Sequence, residues 1–572
     1  MCGILFTNNP DHSINKEALS IQNYRGPDNQ GYQITRDFFI GHNRLSIIDI
    51  TTASSQPYID GDLILSYNGE IYNYQELKNF EVLNTLEYKT SGDTEVLYRG
   101  LQYGGLDFLK KVRGMFAFIA FDTETNKLTI ARDYYGKKPL YYCIKNGIVT
   151  FSSTIAAITK IYSHKNLTLN NEAIAYYLRF GFFKDGTTPY NEILEFNNNT
   201  YSRFNLNTLE FEYSSKIFNE ISVKGDFKHN FYQSIRIRET ADVPVGILLS
   251  SGIDSTAIAT QIKNSSVSAL TVSFDKSFNE FDLAALTTKS IGLTHIEVPC
   301  NTSNSSKYLL NIQNFLDIPL GDPSYIPFLM LCERVKENAT VAITGDGGDE
   351  LLLGYKRYKY VLLLYFIYLL PKVIRKLISS ISSNVRVKSI LKSKNFNSAV
   401  DRIMAFENES FLILKPNYDN NIQCLNDYFE AEKQNYLKKD ILVKGDMGSM
   451  FNQVEIRSPL LDITLKSFGS KSLFKTIFSI LSPKKELRTI IKKHNLKHIL
   501  NKPKRGFTFN LEDVLRKEEK EIKNITKFVI QNFPNLIKKK EYLEFENRFF
   551  TGNTNDYRSV YKIYVLGKWL QQ

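Results

Sequence analysis

The sequence lacks the features of a secreted or membrane-spanning protein. Its five cysteines, at positions 2, 143, 300, 332 and 424, include no Cys-x-x-Cys pair and no disulfide-like spacing, which fits a reducing, cytoplasmic setting. No basic segment leads into an apolar core at the N-terminus, so a signal peptide is not indicated. The apolar run 361–370 ends at Pro371 and is too short for a bilayer, which requires about 20 residues. We interpret this run as a buried helix.

Internal repeats and low-complexity linkers are also absent. At 572 residues and 65.9 kDa the chain exceeds one typical domain, so at least two are expected. The net charge of +12, from 72 Lys+Arg and 60 Asp+Glu, raises the question of nucleic-acid binding. However, the densest basic stretch, 484–504, has little aromatic interleaving, and we interpret it as a solvated face. We therefore expect neither nucleic acid nor a membrane among the partners.

The most informative stretch is a strand, a turn of small and hydroxyl residues, and a helix. Residues 243–249 form a mostly apolar run, typical of a strand buried on both faces of a parallel sheet, and 256–262 reads as a helix. Such a junction gathers free backbone N–H groups, which bind phosphate, and Ser250, Ser251 and Ser255 add hydroxyl donors. Neither Gly-Lys-Ser/Thr nor Gly-x-Gly-x-x-Gly is present. An ordinary strand-to-helix turn is the alternative.

A second apolar run, at 341–343, leads into a glycine-rich turn with three carboxylates at 346, 349 and 350. Carboxylates beside a phosphate site repel the ligand unless a hard cation lies between them, so Asp254 and Asp349 are predicted ligands of Mg²⁺. The alternative is a solvated acidic turn.

The chain begins Met-Cys-Gly, and Met is normally removed before a small second residue. Cys2 would then carry a thiol and an α-amino group with a pKa of about 8, which lets the amine serve as the base for the thiol. A chance cysteine near the N-terminus is the alternative. Six short motifs downstream decide between the two readings: 25–28 (RGPD), 41–49 (GHNRLSIID), 67–73 (YNGEIYN), 91–95 (SGDTE), 113–118 (RGMFAF) and 131–133 (ARD).

In order and content these motifs resemble the class II glutamine amidotransferase domain, an N-terminal-nucleophile hydrolase of two antiparallel sheets between helices. The resemblance implies that Arg44 pairs with the glutamine carboxylate and Asp93 with its ammonium group. It also implies that Asn68 and the Gly69 N–H donate to the oxyanion. Asn-Gly equally favours a hairpin turn. Tyr24, directly before the motif 25–28, departs from the family pattern, because relatives commonly have His at this position.

The loop 250–255 (SSGIDS) resembles the pyrophosphate loop of ATP pyrophosphatases, usually Ser-Gly-Gly-x-Asp-Ser, which release pyrophosphate from ATP. Lys504, in the segment 502–507, matches the place where the family holds a lysine against the phosphates. Asp346 stands where the family has Glu as the base that takes a proton from ammonia, and it is one methylene shorter. The ATP contacts implied by this resemblance are Leu249, Ser250, Ser251, Gly252, Asp254, Ser255, Val272 and Gly345.

Taken whole, the sequence resembles the glutamine-hydrolysing asparagine synthetase family. The resemblance implies an N-terminal α+β hydrolase sandwich over 1–213 and a C-terminal α/β doubly wound parallel sheet with added helices over 226–572. It implies L-glutamine, L-aspartate and ATP as substrates, Mg²⁺ as cofactor, and an internal ammonia passage; a homodimer is compatible with the sequence. Members that amidate other carboxylates, such as sugar acids of surface polysaccharides, are the alternative. An adenylating tRNA-modification enzyme would not need Cys2, Arg44, Asn68 and Asp93.

Overall fold

The structure is a computed structural model. It describes residues 2–35, 37–219, 225–274, 280–300, 304–405, 409–468, 473–500 and 510–572. Lys504, and with it the predicted phosphate-binding segment 502–507, lies outside the described residues.

The first domain contains two six-stranded antiparallel sheets, in agreement with the predicted sandwich. Their strand orders are β10-β8-β9-β1-β3-β2 and β12-β11-β7-β6-β5-β4. β5 and β6 are neighbours in the second sheet, where Asn68 pairs with Ala117. The strands are β1 (Gly3–Thr7), β2 (Asn29–Ile34), β3 (Phe39–Arg44), β4 (Tyr58–Ile59), β5 (Leu63–Ile71), β6 (Gly114–Asp122), β7 (Lys127–Arg132), β8 (Tyr141–Lys145), β9 (Ile148–Ser152), β10 (Leu194–Glu195), β11 (Thr200–Asn205) and β12 (Glu210–Lys216).

Some helices of this domain begin at side-chain caps that satisfy free backbone N–H groups. Asp11 accepts from the N–H groups of Ser13 and Ile14, and Asn170 accepts from that of Ala173. The helices are α1 (His12–Ile21), α2 (Tyr74–Leu77), α3 (Asp93–Leu109), α4 (Ile155–Tyr162) and α5 (Asn171–Phe180), with 3₁₀ turns at Asn23–Arg25, Thr52–Ser54, Glu81–Thr85 and His164–Asn166.

The second domain is built on a five-stranded parallel sheet of order β15-β14-β13-β16-β17. Its strands are β13 (Val245–Leu248), β14 (Ser268–Phe274), β15 (His295–Cys300), β16 (Val341–Ile343) and β17 (Glu455–Arg457). The strand order reverses at β13, so the loops after β13 and β16 diverge there and leave a crevice at the carboxyl end of the sheet. These two loops contain residues 250–255 and 346–350, for which the sequence predicts phosphate and metal binding.

Helices cover this sheet and extend the domain. They are α6 (Phe227–Arg236), α7 (Ile253–Ala259), α8 (Glu280–Ile291), α9 (Ser305–Leu310), α10 (Tyr325–Lys336), α11 (Gly348–Leu351), α12 (Lys356–Leu369), α13 (Lys372–Ile381), α14 (Val385–Leu391), α15 (Phe396–Met404), α16 (Leu425–Glu432), α17 (Val443–Phe451), α18 (Leu473–Leu481), α19 (Lys485–Lys493), α20 (Lys497–Leu500), α21 (Leu511–Lys517), α22 (Glu519–Asn532), α23 (Lys539–Phe550) and α24 (Tyr557–Leu570). A π-helix spans Lys433–Leu442, and 3₁₀ turns span Ile312–Phe315, Pro459–Leu461 and Ile463–Phe468.

Buried charge pairs join the two domains. Arg25 of the first domain binds Asp446 of the second with two hydrogen bonds of 2.9 and 3.2 Å. Asp462 accepts from Arg238 at 2.7 Å and lies 3.2 Å from Arg113 of the first domain. Tyr24, the departure from the family pattern, stacks on Phe451 at 4.0 Å between ring centroids. Several motif residues thus serve the domain interface.

The interpretation of 361–370 as a buried helix is half wrong. The run is helical, as part of α12, but Leu363 and Leu369 are 59% and 65% exposed. Only one side of the helix, with Tyr358 and Val361, packs against the core. Among the described residues, no helix has both the length and the apolar character needed to cross a membrane.

Candidate active sites

The first candidate site surrounds Cys2, which directly precedes β1. The cysteine is buried, its backbone N–H donates to Asn68 Oδ1 at 3.0 Å, and its carbonyl accepts from Arg25 Nε at 3.1 Å. Burial raises the pKa of the Cys2 thiol, while the nearby chain terminus and Arg44 act in the opposite direction. The thiol is therefore fixed in position, and it requires a base to become a nucleophile.

Asn68 and Gly69 lie in β5, and the Asn68 side chain contacts the backbone of Cys2. Asn68 is fully buried, and its amide Nδ2 has no hydrogen-bond partner among the described residues. A buried donor without a partner is costly in a folded protein, so a free amide N–H at a cysteine suits an oxyanion. Gly69 is required sterically, because a Cβ there would lie 2.1 Å from the carbonyl oxygen of Met115. The structure brings Asn68 into contact with Cys2, and Gly69 is the next residue of the same strand.

The loop 49–51 contacts both Arg44 and the segment that directly precedes Asp93. The Arg44 guanidinium donates to the carbonyls of Thr51, at 2.7 Å, and Asp49. Asp49 in turn accepts from the N–H of Ser91, two residues before Asp93. The hydrogen bonds of Arg44 go to neutral carbonyls, so its charge is not neutralised by a carboxylate within the described part of the chain.

Asp93 begins α3 with its carboxylate buried. One oxygen accepts from the Tyr67 hydroxyl and from the Ile71 N–H, both at 2.9 Å. Burial raises the pKa of Asp93, although these two hydrogen bonds favour the ionised form. An ammonium group placed against this carboxylate would be paired strongly, as the sequence analysis expects for glutamine.

The second candidate site is a cavity of about 430 Å³ at the carboxyl end of the parallel sheet. Eight predicted residues line it: Ser250, Ser251, Gly252, Asp254, Ser255, Gly345, Asp346 and Asp349. Leu249 and Val272 do not; Leu249 is buried in the core, and Leu248 lines the cavity instead. The alternation of a strand turns Leu248 and Leu249 to opposite faces, which explains this one-residue difference.

Glycines let the two loops of this site meet. A Cβ at Gly348 would lie 2.6 Å from Asp254 Cγ, and one at Gly345 would lie 2.9 Å from Asp254 Cβ. Gly347 has a φ of +86°, a conformation that favours glycine. The sequence Gly-Asp-Gly-Gly-Asp thus allows the β16 loop to pack directly on Asp254 and to place Asp349 beside it.

Lys484 lies between the two predicted metal ligands. Its Nζ is 2.5 Å from Asp254 Oδ2 and 2.7 Å from Asp349 Oδ1. Although burial opposes a charge there, the two carboxylates raise the pKa of Lys484. The interpretation of 484–504 as a solvated face is therefore wrong for this residue, which is 7% exposed. The basic stretch has no feature that distinguishes Lys484 from its exposed neighbour Lys485.

The serines of the first loop are bound to one another. Ser250 Oγ lies 2.9 Å from Ser255 Oγ and accepts from the Gly252 N–H at 3.2 Å, while Ser255 Oγ donates to the Ser250 carbonyl at 3.0 Å. These bonds close the loop into a cradle. The hydroxyls that were predicted as ligand donors thus also shape the loop.

Asp346 faces the same cavity. Its Oδ2 accepts from Thr344 Oγ1 at 2.8 Å, and burial raises the pKa of its carboxyl group. Lys444, which also lines the cavity, binds Asp322 at 2.7 Å and Ser324 at 2.9 Å. The sequence analysis did not single out Lys444, a lone lysine at the start of α17.

The donor set fits Mg²⁺. Asp254 and Asp349 supply two hard carboxylate oxygens, and their shared contact with Lys484 shows that both carboxylates reach one point. Magnesium in phosphate sites uses one or two carboxylates and takes its other ligands from phosphate and water. Asp254 and Asp349 are therefore the residues that would hold the ion.

Comparisons with known proteins agree with this geometry. Residues 1–214 match a family model described as a glutamine amidotransferase domain, and residues 226–529 match one described as asparagine synthase. The chain is thus an ATP-dependent ligase in which a glutamine amidotransferase domain is joined to a synthetase domain. It belongs to the asparagine synthase family, which confirms the predicted family and enzyme class.

Relatives cover most of the chain. Asparagine synthetase [glutamine-hydrolyzing] 1 of Bacillus subtilis is 28% identical over 92% of this chain and 90% of its own length. A putative asparagine synthetase of Mycobacterium tuberculosis is 28% identical over 88% of this chain and 85% of its own. Among solved structures, a glutamine phosphoribosylpyrophosphate amidotransferase of B. subtilis aligns with a TM-score of 0.30 and 15% identity, over 52% of this chain and 66% of that one.

Proposed function

We propose that this chain makes L-asparagine from L-aspartate, ATP and L-glutamine. The observation that carries the proposal is the meeting of Asp254, Asp346 and Asp349 with the serine cradle in one cavity, on a chain that also presents Cys2 to a free Asn68 amide. One site releases ammonia, and the other activates the carboxylate that the ammonia attacks.

At the first site, the Cys2 thiolate attacks the side-chain carbonyl carbon of glutamine. The α-amine of a processed Cys2 takes the thiol proton and returns it to the departing ammonia. Asn68 Nδ2 and the Gly69 N–H stabilise the oxyanion, while Arg44 and Asp93 hold the two charged ends of the substrate. Water then hydrolyses the thioester and releases glutamate.

At the second site, the cradle 250–255 holds the phosphates while the aspartate side-chain carboxylate attacks the α-phosphorus. Bound Mg²⁺ would neutralise charge on the phosphate oxygens. Lys484 sits where it can turn from the two carboxylates to the departing pyrophosphate, a role similar to the one that the sequence analysis assigned to Lys504.

Asp346 is the proposed base for the ammonia that attacks the acyl-adenylate. Its raised pKa makes it a stronger base than an exposed aspartate. In the Asp346→Asn variant we expect normal ATP–pyrophosphate exchange but amide formation slowed by about 100-fold or more. Asp346→Glu is the matched variant, and it should not exceed the wild-type rate if the site is built around the shorter side chain. Amide formation at the wild-type rate in a folded Asp346→Asn variant would exclude this role.

A small interface cavity supports an internal route for ammonia. It has a volume of about 30 Å³ and is lined by Arg25, Lys137 and Met447, among others. Arg25 touches the Cys2 carbonyl, and the charge of Lys137 acts on Asp346. Burial lowers the pKa of Lys137 to about 7, so its amine is largely neutral in mildly basic conditions. The cavity therefore begins beside the Cys2 backbone and extends to Lys137, which adds no fixed charge to it in such conditions.

A larger carboxylate acceptor is the second candidate function. Behind Asp322 lies another cavity, of about 460 Å³, lined also by Arg357, Arg558 and Asp440. Asp440 is 6% exposed, and its Oδ1 has no hydrogen-bond partner among the described residues. A sugar acid would satisfy this oxygen with a hydroxyl group, and the volume would accommodate its ring.

One assay separates the two candidates. The full-length enzyme is given glutamine, ATP and either L-aspartate or a uronic acid, and amide product and pyrophosphate are both measured. Pyrophosphate release that depends on aspartate supports asparagine synthesis, whereas release with the uronic acid alone supports the larger acceptor. Asp440→Asn should change the apparent KM for the true acceptor while glutaminase activity in the same sample stays constant.

A further inference from the structure

The second domain has an apolar surface that faces outward. It is formed by the outer sides of α12, α13 and α18, and we call it the apolar face. Six of its side chains have exposed fractions between 59% and 85%: Leu363, Leu369, Val373, Leu377, Ile381 and Phe474. Surfaces of this kind mark interaction sites, because isolated soluble domains rarely expose contiguous apolar patches.

Helix α13 exposes apolar residues and buries polar ones, which is the reverse of an ordinary surface helix. Val373, Leu377 and Ile381 are spaced four residues apart and point outward, whereas Arg375 and Ser379 are buried. The inward Arg375 guanidinium lies 4.4 Å from the centre of the Tyr368 ring on α12. The side of α13 that carries Arg375 and Ser379 packs against the protein. Its apolar side therefore remains exposed.

The neighbouring helices continue this pattern. α12 packs against α18, and on both helices the exposed side is apolar while the opposite side reaches the core. On α18, Phe474 and Phe478 are exposed, and Thr476 and Ile480 between and beyond them are buried. α12 contacts both α18 and α13, so the exposed apolar residues belong to three neighbouring helices rather than to scattered positions.

The part of the chain that forms α12 and α13 carries charge of one sign. Residues 351–400 contain ten Lys and Arg and no Asp or Glu. Lys372 and Lys376 are exposed on α13 and flank Val373 and Leu377. Long basic side chains beside an apolar stripe can lay their stems along it and place their charges at headgroup level. The pattern is that of a helix at the interface of an anionic bilayer.

Two copies of this face would not fit each other well. An isologous contact would bring the same basic residues of both copies together, and juxtaposed like charges oppose such a contact. An anionic lipid surface satisfies both the apolar side chains and the lysines around them. Charge complementarity therefore selects the lipid surface as the occupant.

We propose that the apolar face docks the enzyme onto the surface of an anionic lipid bilayer. α12 and α13, with 14 and 10 residues, have lengths of about 21 and 15 Å, less than the hydrocarbon thickness of about 30 Å. They therefore lie in the interface plane. This proposal replaces the expectation, drawn from composition, that no membrane is among the partners.

The test is co-sedimentation of the full-length enzyme with vesicles of phosphatidylcholine alone, or of phosphatidylcholine and phosphatidylglycerol in equal parts. We expect binding to the mixed vesicles only, weakened by salt. The double variant Lys372→Gln/Lys376→Gln should bind about 25-fold more weakly, since each basic residue contributes about fivefold. The variant Val373→Ser/Leu377→Ser/Ile381→Ser should lose binding.

Matched controls carry the same changes elsewhere on the exposed surface: Lys539→Gln/Lys540→Gln, and Ile59→Ser/Leu286→Ser/Leu543→Ser. Both should bind like the wild type, and glutaminase activity should confirm that every variant is folded. Absence of binding to mixed vesicles, or equal binding to both kinds, would overturn the proposal. So would a wild-type dimer that the α13 serine variant dissociates, measured by analytical ultracentrifugation without lipid, because a second copy would then cover the face.

Discussion

Replacing Lys484 with Met removes a positive charge from between Asp254 and Asp349 and keeps the side-chain length nearly unchanged. In the structure the Nζ contacts of 2.5 and 2.7 Å place the two carboxylate oxygens no farther apart than their combined 5.2 Å. At an effective dielectric constant of about 20, two charges at this separation repel by about 3 kcal/mol. Loss of Lys484 exposes the two carboxylates to more of this repulsion, which favours protonation of one carboxyl group or binding of another cation.

Each of these responses has a measurable consequence. A repulsion of about 3 kcal/mol raises the pKa of one carboxyl group by about two units. The folded state would then bind more protons than the unfolded state between about pH 4 and 6, so stability falls as the pH rises through this window. The variant should have a lower Tm than the wild type at pH 7.5, and the deficit should shrink at pH 5.

Magnesium provides the decisive measurement. Without the lysine, Mg²⁺ alone should raise the Tm of the variant more than that of the wild type, because the ion no longer competes with Nζ for the two carboxylates. ATP–pyrophosphate exchange should fall by about 100- to 1,000-fold with the loss of a cation at the phosphates, and glutaminase activity should persist. Lys485→Met is the matched control and should match the wild type in all three assays. An equal Mg²⁺ response in Lys484→Met and wild type would refute the reasoning.

Three further predictions concern other buried groups. Cys2→Ala should abolish glutamine-dependent synthesis and spare ammonia-dependent synthesis, since the thiol acts only in releasing ammonia; loss of both in a folded variant would contradict this. Asp254→Asn and Asp349→Asn should each lower ATP–pyrophosphate exchange by about 100-fold or more at unchanged glutaminase activity, and normal exchange would remove that residue from the metal site. Lys137→Met should raise the Tm at pH 7. Because burial lowers the pKa of Lys137 to about 7 from its ordinary 10.5, the folded state binds fewer protons than the unfolded state between these values. Wild-type stability therefore rises with pH by up to about 1.4 kcal/mol per unit there, and the advantage of Met should be smaller at pH 9, whereas an equal advantage would show that Lys137 is not neutral.

The two loops of the second site could be predicted because their chemistry is local. Each follows a short apolar strand, and parallel strands bring their carboxyl ends to one edge, so Asp254 and Asp349 were expected to meet. Lys484 and Lys444 could not be found this way. Lys444 is a lone lysine near the start of α17, and Lys484, one of two adjacent lysines, lies in the turn directly before α19. Only the return of the chain to the sheet edge gives each of them its partners.

Burial of α12 was predicted wrongly for a related reason. An apolar run shows that a helix avoids water, but it does not show what covers each side. Tyr358 and Val361 find the core, whereas Leu363 on the opposite side does not. The absence of acidic residues over 351–400 was the signal that could have indicated a different environment, and it becomes informative only when the exposed side of the helix is known.

The two sites are held together by buried charges. Arg457, on β17, lies 3.7 Å from Glu70, the residue after Gly69 in β5. The backbone carbonyl of Arg457 accepts from the N–H of Thr344, and the Thr344 hydroxyl donates to Asp346. A rotation of one domain against the other that separated Arg457 from Glu70 would leave buried polar groups without this contact, so the contact opposes such a rotation. Residues 68–70 of β5 and Asp346 are thus linked by a chain of direct contacts, which suits the proposed transfer of ammonia from one site to the other.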